Sequence, residues 1–184
     1  MGTLHIIMGP MFSGKTELLI EKHNIEFNKN HSDISMKKII SYNYYKDTRY
    51  GTDAIISHSG KKISSKNIQT LSEIFKDDDF SKRTHIFINE AQFFSDLKQS
   101  VIELVEKYNK NVIICGLDSD YKREKFGDMW DLIPYSDYIV KLKGICNDCD
   151  NESIFTYRIS NEKDQEVIGS QNYIPLCRKC YNLR

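Results

Sequence analysis

Three short stretches carry the residues best able to do chemistry. Gly9-Pro10-Met11-Phe12-Ser13-Gly14-Lys15-Thr16 fits the pattern GxxxxGK[ST]. Backbone N–H groups can converge on phosphate oxygens only where glycine lets the chain turn sharply, and a helix beginning near Gly14 would add its positive N-terminal end. In such a loop the lysine, here Lys15, reaches the β- and γ-phosphates of a nucleotide, and the hydroxyl of Thr16 coordinates Mg²⁺. The second stretch is His85-Ile86-Phe87-Ile88-Asn89-Glu90, an apolar run that ends in polar residues. A P-loop kinase or ATPase usually carries an aspartate at such a strand end, but here Asn89 occupies the place and Glu90 follows it. One carboxylate therefore remains. It could act as a general base toward a hydroxyl, replace the missing metal-side group, or have no role. The third stretch is a pair of knuckles, Cys146-x-x-Cys149 and Cys177-x-x-Cys180, with residues 150–176 between them. Each knuckle presents two thiolates to one ion, which is what a tetrahedral four-thiolate zinc site needs; two disulfides are the alternative.

The compartment bears on that choice. Met1 to Met8 lacks the basic start and apolar core of a signal peptide, and no apolar run approaches the roughly 20 residues that a bilayer span needs. The chain is expected to be cytoplasmic, with no membrane partner, and paired cysteines in a reducing compartment are more often metal ligands than disulfides. Four thiolates leave no open position, so the zinc would be structural. Cys115, inside an apolar strand, is expected to be a small buried residue. Lys plus Arg (26) equal Asp plus Glu (26) for zero net charge, which argues against a general nucleic-acid coat. With 28% charged and 40% hydrophobic residues, the composition is globular and excludes largely disordered chains.

These residues need elements to position them. At about 150 residues per domain, 184 residues make one domain and a small appendage. Thr3 to Met8 is a branched apolar run closed by Gly9-Pro10, hence a buried strand, and Lys15 to Asn28 is a helix. Lys38 to Tyr45 reads as a second strand, and Ser57 to Gly60 as a turn between short extended pieces. Thr70 to Phe75 is one or two helical turns capped by Thr70 and Glu73, and Asp77-Asp78-Asp79 is expected to be a solvated loop. Ser95 to Lys110 places Leu97, Val101, Leu104, Val105 and Tyr108 on one helical face. Asn111 to Leu117 and Tyr138 to Leu142 read as further buried strands. Strands alternating with helices imply an α/β fold, a P-loop parallel sheet with flanking helices over residues 1–143. From Gly144 the cysteines and short extended segments mark a small C-terminal zinc ribbon, residues 144–184.

With these residues in hand the chain resembles the thymidine kinase family of the cellular and poxvirus type. The likeness runs from about Leu4 to Tyr181. It rests on the loop Gly9 to Thr16, KDTRY (Lys46 to Tyr50), Ser57-His58, Asn89 to Phe94, Leu117 to Gly127, both CxxC pairs, and VIGSQNY (Val167 to Tyr173). The resemblance implies transfer of the ATP γ-phosphoryl group to the 5′-hydroxyl of thymidine or deoxyuridine, with Mg²⁺ and a structural Zn²⁺. Glu90 matches the family's general base. Arg49 and Asp47 match residues on the phosphate side, and Gln92 falls in the matching stretch beside Asn89 and Glu90, on the same ATP side. Met11, Phe93, Leu117, Tyr121 and Phe126 match an apolar pocket for the thymine ring, although such residues are more often plain core. Thr156 and the run Val167, Ile168, Gly169, Ser170 and Tyr173 match a loop that covers the nucleoside and is tied down by the ribbon. Asp118 matches an aspartate that opens a flexible loop. Family members imply a homotetramer and feedback inhibition by dTTP.

The chain departs from the family pattern at Asn89, at Ala91 for a common glycine, at Ser119-Asp120 for Gly-Thr, at Tyr121 for phenylalanine and at Glu124-Lys125 for Lys-Pro. The loss of the strand-end aspartate leaves open a nucleotide-binding regulator without turnover, and the ribbon leaves open a nucleic-acid motor, which the zero net charge weakens.

Overall fold

The computed structural model describes residues 1–29, 38–47, 53–167 and 169–184. Its centre is a six-stranded sheet built from β1 (Thr3–Gly9), β2 (Ile39–Tyr44), β5 (Lys66–Ile68), β6 (His85–Ile88), β7 (Asn111–Leu117) and β8 (Tyr138–Lys141), in the order β5-β2-β6-β7-β1-β8. Every pairing in it is parallel. A parallel sheet buries both faces, and successive side chains point to opposite sides. Leu4, Ile6, Met8, Ile86, Ile88, Val112 and Ile114 accordingly fill one core, and Ile7, Phe87, Ile113 and Cys115 the other. Helix α1 (Lys15–Lys29) sets Leu19 and Ile20 into the second core. Helix α2 (Leu97–Ile102) sets Leu97 and Val101 into the first.

Three expectations are corrected. The helix over Ser95 to Lys110 is α-helical only to Ile102 and continues as a wider π turn, Glu103–Lys107, which keeps Leu104 buried. That turn swings Lys110 inward, where its Nζ donates to the carbonyls of Phe80 (3.0 Å) and Arg83 (2.6 Å). Strand β8 forms, but all four of its residues are exposed, because it is the outermost strand and only β1 flanks it. Asp77 is not part of a solvated loop: its side chain is 9% exposed, and it accepts from Lys66 Nζ (2.6 Å) and the Tyr42 hydroxyl (3.3 Å). Burial alone would raise its carboxyl, but donation from Lys66 and the Asp79 N–H holds it below the usual range. Burial and the Asp77 charge together keep the Tyr42 phenol protonated.

Two smaller pieces flank the sheet. The hairpin β3 (Ala54–Ile56) and β4 (Lys62–Ser64) brackets the expected Ser57 to Gly60 turn. After β8 come two antiparallel pairs, β9 (Gly144–Ile145) with β10 (Glu152–Ser153), and β11 (Phe155–Arg158) with β12 (Tyr173–Leu176), then α3 (Arg178–Asn182). The short turn Leu71–Lys76 is capped as its sequence suggests, with the Glu73 carboxylate accepting from the Thr70 N–H at 2.9 Å. No helix among the described residues is long and apolar enough to cross a membrane.

Candidate active site

The sheet delivers its chemistry at the carboxyl ends of β1, β2, β6 and β7, the usual binding edge of an open α/β sheet. At the end of β1 the chain turns through Gly9, where a Cβ would lie 2.6 Å from the Leu142 carbonyl oxygen. Gly14 has open space around it but a φ of +82°, a conformation that favours glycine. The chain then enters α1 with the Leu18 N–H donating to the Gly14 carbonyl (3.0 Å), so the helix N-terminus faces the loop. Lys15 folds over the loop and donates to the Pro10 carbonyl at 2.7 Å. Its ammonium is held in the concavity where phosphate oxygens would replace that carbonyl.

At the end of β6 the chain is strained. Glu90 has φ 53° and ψ 42°, a left-handed conformation unusual for a residue with a Cβ, and such strain concentrates where a side chain must be aimed. Its carboxylate accepts from Gln92 Nε2 at 2.7 Å, and the Oε1 of Gln92 accepts from the Leu117 N–H at 3.0 Å. Gln92, expected on the ATP side, is thus buried and committed to a bridge that aims Glu90 from the end of β7. The bridge is packed tightly, since a Cβ on Gly116 would meet Gln92 Oε1 at 2.5 Å. No local sequence signal marks that role.

Asn89 lies behind the P-loop and does not line the cavity. It is 3% exposed, its Oδ1 accepts from the Thr16 hydroxyl (3.3 Å) and the Cys115 thiol (3.0 Å), and its Nδ2 donates to Asn43 Oδ1 (2.9 Å). Asn43 continues the chain of contacts with donation to the Asp47 carbonyl and carboxylate at 3.3 and 3.4 Å. Cys115 is the small buried residue expected, its thiol pushed up to about 12 by burial.

These edges surround one cavity of about 330 Å³. The P-loop lines it from Met11 to Thr16, joined by Asp47 and Glu90. Its apolar wall is Phe93, Leu117, Tyr121 and Phe126, with the Phe93 ring edge-on to Phe126 (5.2 Å) and stacked on Tyr44 (5.1 Å). Thr156, Val167, Gly169 and Tyr173 close it from the C-terminal part. Gly9, Pro10 and Ser170 belong to the loops but do not face the cavity, and Arg49 and Ile168 lie outside the described residues. Thr156 also accepts from the Met11 N–H at 3.0 Å, so the second part of the chain braces the phosphate loop directly. Tyr44, Gln165 and Glu166 line the cavity without having been singled out in the sequence, and Ser119 and Asp120, noted there only as departures from the family pattern, line it too. Asp118 does not: it pairs with Lys141 at 2.8 Å.

The four knuckle cysteines converge as their spacing suggests. Their sulfurs lie within 4.8 Å of one another, with Cys146 buried, Cys149 exposed and Cys177 and Cys180 between. Around one tetrahedral ion with bonds of about 2.3 Å, sulfurs sit about 3.8 Å apart; the Cys149 and Cys177 sulfurs are 3.6 Å apart. Donation from the Asn151 backbone and amide lowers Cys149 to about 6, while donation among the crowded thiols raises Cys180 to about 12. Such a cluster is fully ionised only when a cation shares it. The arrangement is a metal-binding one.

Fold and site together define a P-loop phosphotransferase of the α/β class with an appended metal-binding ribbon. A family model described as thymidine kinase matches residues 2–181. The chain is 37% identical to a thymidine kinase of Oryza sativa subsp. japonica over 98% of its own length and 66% of that protein's. It is 36% identical to the thymidine kinase of Sheeppox virus (strain KS-1), over 99% of this chain and 98% of that one. It is 32% identical to the cytosolic thymidine kinase of Gallus gallus, over 98% of this chain and 77% of that one. The chain belongs to the thymidine kinase family.

Proposed function

We propose that the protein transfers the γ-phosphoryl group of ATP to the 5′-hydroxyl of thymidine, or of deoxyuridine, giving dTMP from thymidine. One observation carries the reading: a single cavity joins a phosphate loop, an aimed carboxylate and an apolar aromatic wall. The Glu90 carboxylate takes the 5′-hydroxyl proton, the freed oxygen bonds to the γ-phosphorus, and the bond to the β-phosphate oxygen breaks to release ADP. Lys15 and the P-loop N–H groups hold the charge that accumulates on the phosphate oxygens. The base lies between the ring of Phe93 and the aliphatic and aromatic walls of Leu117, Tyr121 and Phe126, with Met11, Thr156, Val167, Gly169 and Tyr173 closing over it.

Thr16 and Asp47 would hold the Mg²⁺ that accompanies ATP and neutralises phosphate charge. Cys146, Cys149, Cys177 and Cys180 would hold a structural Zn²⁺, whose role is to fix the ribbon. On this reading residues 1–143 do the ATP work and residues 144–184 carry the nucleoside cover. A cytoplasmic homotetramer inhibited by dTTP completes the proposal. The test is thymidine-dependent ADP formation from ATP and Mg²⁺, with dTMP identified as product. ATP turnover that needs DNA instead of thymidine, or nucleotide binding with no turnover, would sink it.

A further inference from the structure

Two loops wall the nucleoside side of the cavity, residues 118–127 after β7 and residues 159–172 between β11 and β12, and among their described residues neither has regular structure to hold it open or shut beyond short turns. Arg158 lies behind both. It is the last residue of β11, directly opposite Tyr173 at the start of β12, so it sits at the neck of the second loop. Its side chain is buried, at 6% exposure, and does not line the cavity. Nη1 donates to the carbonyls of Glu162 (3.0 Å) and Asp164, and Nη2 to the Gln165 carbonyl (3.0 Å) and the Tyr173 hydroxyl (2.6 Å). That hydroxyl in turn donates to the Val167 carbonyl at 3.0 Å.

The guanidinium face is used as well as its edge. The Tyr121 ring of the first loop covers it at 3.7 Å, with Tyr173 at 5.0 Å. The Tyr121 hydroxyl donates to the Lys163 carbonyl (3.1 Å), and Gln165 Nε2 donates back across the gap to the Asp120 carboxylate (2.9 Å) and the Lys125 carbonyl (3.2 Å). The α3 helix joins in through the Tyr181 hydroxyl, which donates to the Tyr121 carbonyl at 2.7 Å. Residues 160–166 are Ser, Asn, Glu, Lys, Asp, Gln and Glu, with no apolar mass to order themselves. Their carbonyls are gathered instead onto one planar cation.

We propose that Arg158 is the positioning residue that locks both nucleoside loops into a single closed wall, so that the nucleoside meets a preformed site. The inference rests on the reading that these loops cover the nucleoside. A planar fork with five donors and a stackable face suits this role, whereas a lysine ammonium is a point charge that cannot lie flat under Tyr121 while serving three carbonyls and a phenol. The role predicts a split in kinetics. Arg158→Met should raise the KM for thymidine roughly tenfold, the usual scale for losing a buried hydrogen-bonded anchor. The KM for ATP should change far less, and metal content should stay at the wild-type value. Arg158→Lys should resemble Arg158→Met instead of restoring the wild type.

The experiment is steady-state kinetics of the full-length variants, paired with amide hydrogen exchange over residues 119–125 and 159–167. Faster exchange in both segments with a raised thymidine KM supports the proposal. Unchanged exchange in Arg158→Met, or a wild-type KM in Arg158→Lys, overturns it. Faster exchange with an unchanged thymidine KM overturns the positioning role through a different route, since Arg158 would then anchor loops that do not cover the nucleoside. If Arg158→Met fails to fold, Tyr173→Phe removes the phenol link between Arg158 and Val167, and because Tyr173 also lines the cavity, faster exchange over residues 159–167 must accompany any change in KM for the link to be its cause. That variant should raise the thymidine KM about threefold, and no rise would again overturn the proposal.

Discussion

The proposed phosphate side and the proposed nucleoside side of the cavity are held in place by different means. Glu90 and the P-loop hang from the ends of β6 and β1, strands whose interior residues are almost wholly buried on both faces. The sheet is rigid enough to hold Glu90 in a left-handed conformation that costs on the order of 1 kcal/mol. Across the cavity, the described residues of 159–172 have no such backing. They depend on Arg158, on Tyr173, and on a knuckle cluster whose four sulfurs converge through a ribbon of two-residue and four-residue strands. The lesson is that precision on the phosphate side is a by-product of the main core, whereas on the nucleoside side it is built from polar and metal-binding contacts that can be removed one at a time. Disturbing the first should change turnover; disturbing the second should change nucleoside affinity.

The largest break of that contrast is at Glu90. Glu90→Gln should lower kcat by roughly 10²- to 10⁴-fold, the loss expected for a general base, with ATP binding retained. Glu90→Gly should be as inactive and leave the unfolding temperature little changed, because glycine relieves the left-handed strain but leaves the buried Gln92 Nε2 without its acceptor. Calorimetry and a pre-steady-state chemistry assay check both; a Glu90→Gln enzyme with near-normal kcat would remove this carboxylate from the reaction. Next in size is its support. Gln92→Leu leaves the Leu117 N–H without its acceptor and removes the Nε2 donor from the Glu90 carboxylate, and kcat should fall by roughly 10- to 100-fold, a size typical of supporting residues. Thymidine KM should move little, and a variant that changed KM alone would erase the distinction between the two sides.

The nucleoside side breaks through the ribbon. Cys149→Ser removes one thiolate, so metal content should fall below the wild-type value and thymidine KM should rise on the order of tenfold. The link runs through α3, which begins at Arg178 between two of the cysteines and carries Tyr181 to the Tyr121 carbonyl. The main sheet should melt separately and later. Metal analysis with two-probe thermal unfolding tests this, and equal loss of kcat and ATP affinity would show that the ribbon props up the whole site.

How far the sequence foretells each side follows the same physics. The strand at Asn111–Leu117 and the start of α1 at Lys15 are legible because burial on both faces demands an unbroken apolar run and the loop motif fixes where the helix begins. The CxxC spacing likewise states its own geometry. Gln92 and Arg158 are not legible, because each acts through contacts to residues far along the chain, and nothing in the local pattern separates a bridging glutamine or a buried arginine from a solvated one. The exposure of β8 is also invisible locally: Tyr138-Ile139-Val140 has the composition of an inner strand, and only its place in the sheet order leaves it uncovered. Asp77 fails for the complementary reason, since a run of three aspartates reads as solvent until Lys66 and Tyr42 are brought beside one of them.

The smallest expected effect is at Asn89, where the phosphate side departs from its family pattern. An aspartate there would place a charge near the Mg²⁺ that Thr16 would hold. Here the amide oxygen accepts the Thr16 hydroxyl proton at 3.3 Å, which turns the hydroxyl lone pairs outward, so the orientation is kept while the charge is lost. At an effective dielectric near roughly 20, one unit charge several ångströms from the ion is worth about a few kcal/mol before solvation costs. Those costs are high at this position, which is 3% exposed and faces the oxygen of Asn43. A carboxylate in place of this amide would force Asn43 to turn its own amide and give up Asp47. Asn89→Asp should therefore lower the Mg²⁺ concentration for half-maximal rate by only about threefold, and lower the unfolding midpoint by about 2–4 °C for each kcal/mol lost. Titrating the rate with Mg²⁺ at saturating ATP and thymidine decides it. Identical Mg²⁺ curves would mean that position 89 acts on Thr16 through geometry alone, and the phosphate side would then owe nothing to charge behind the loop.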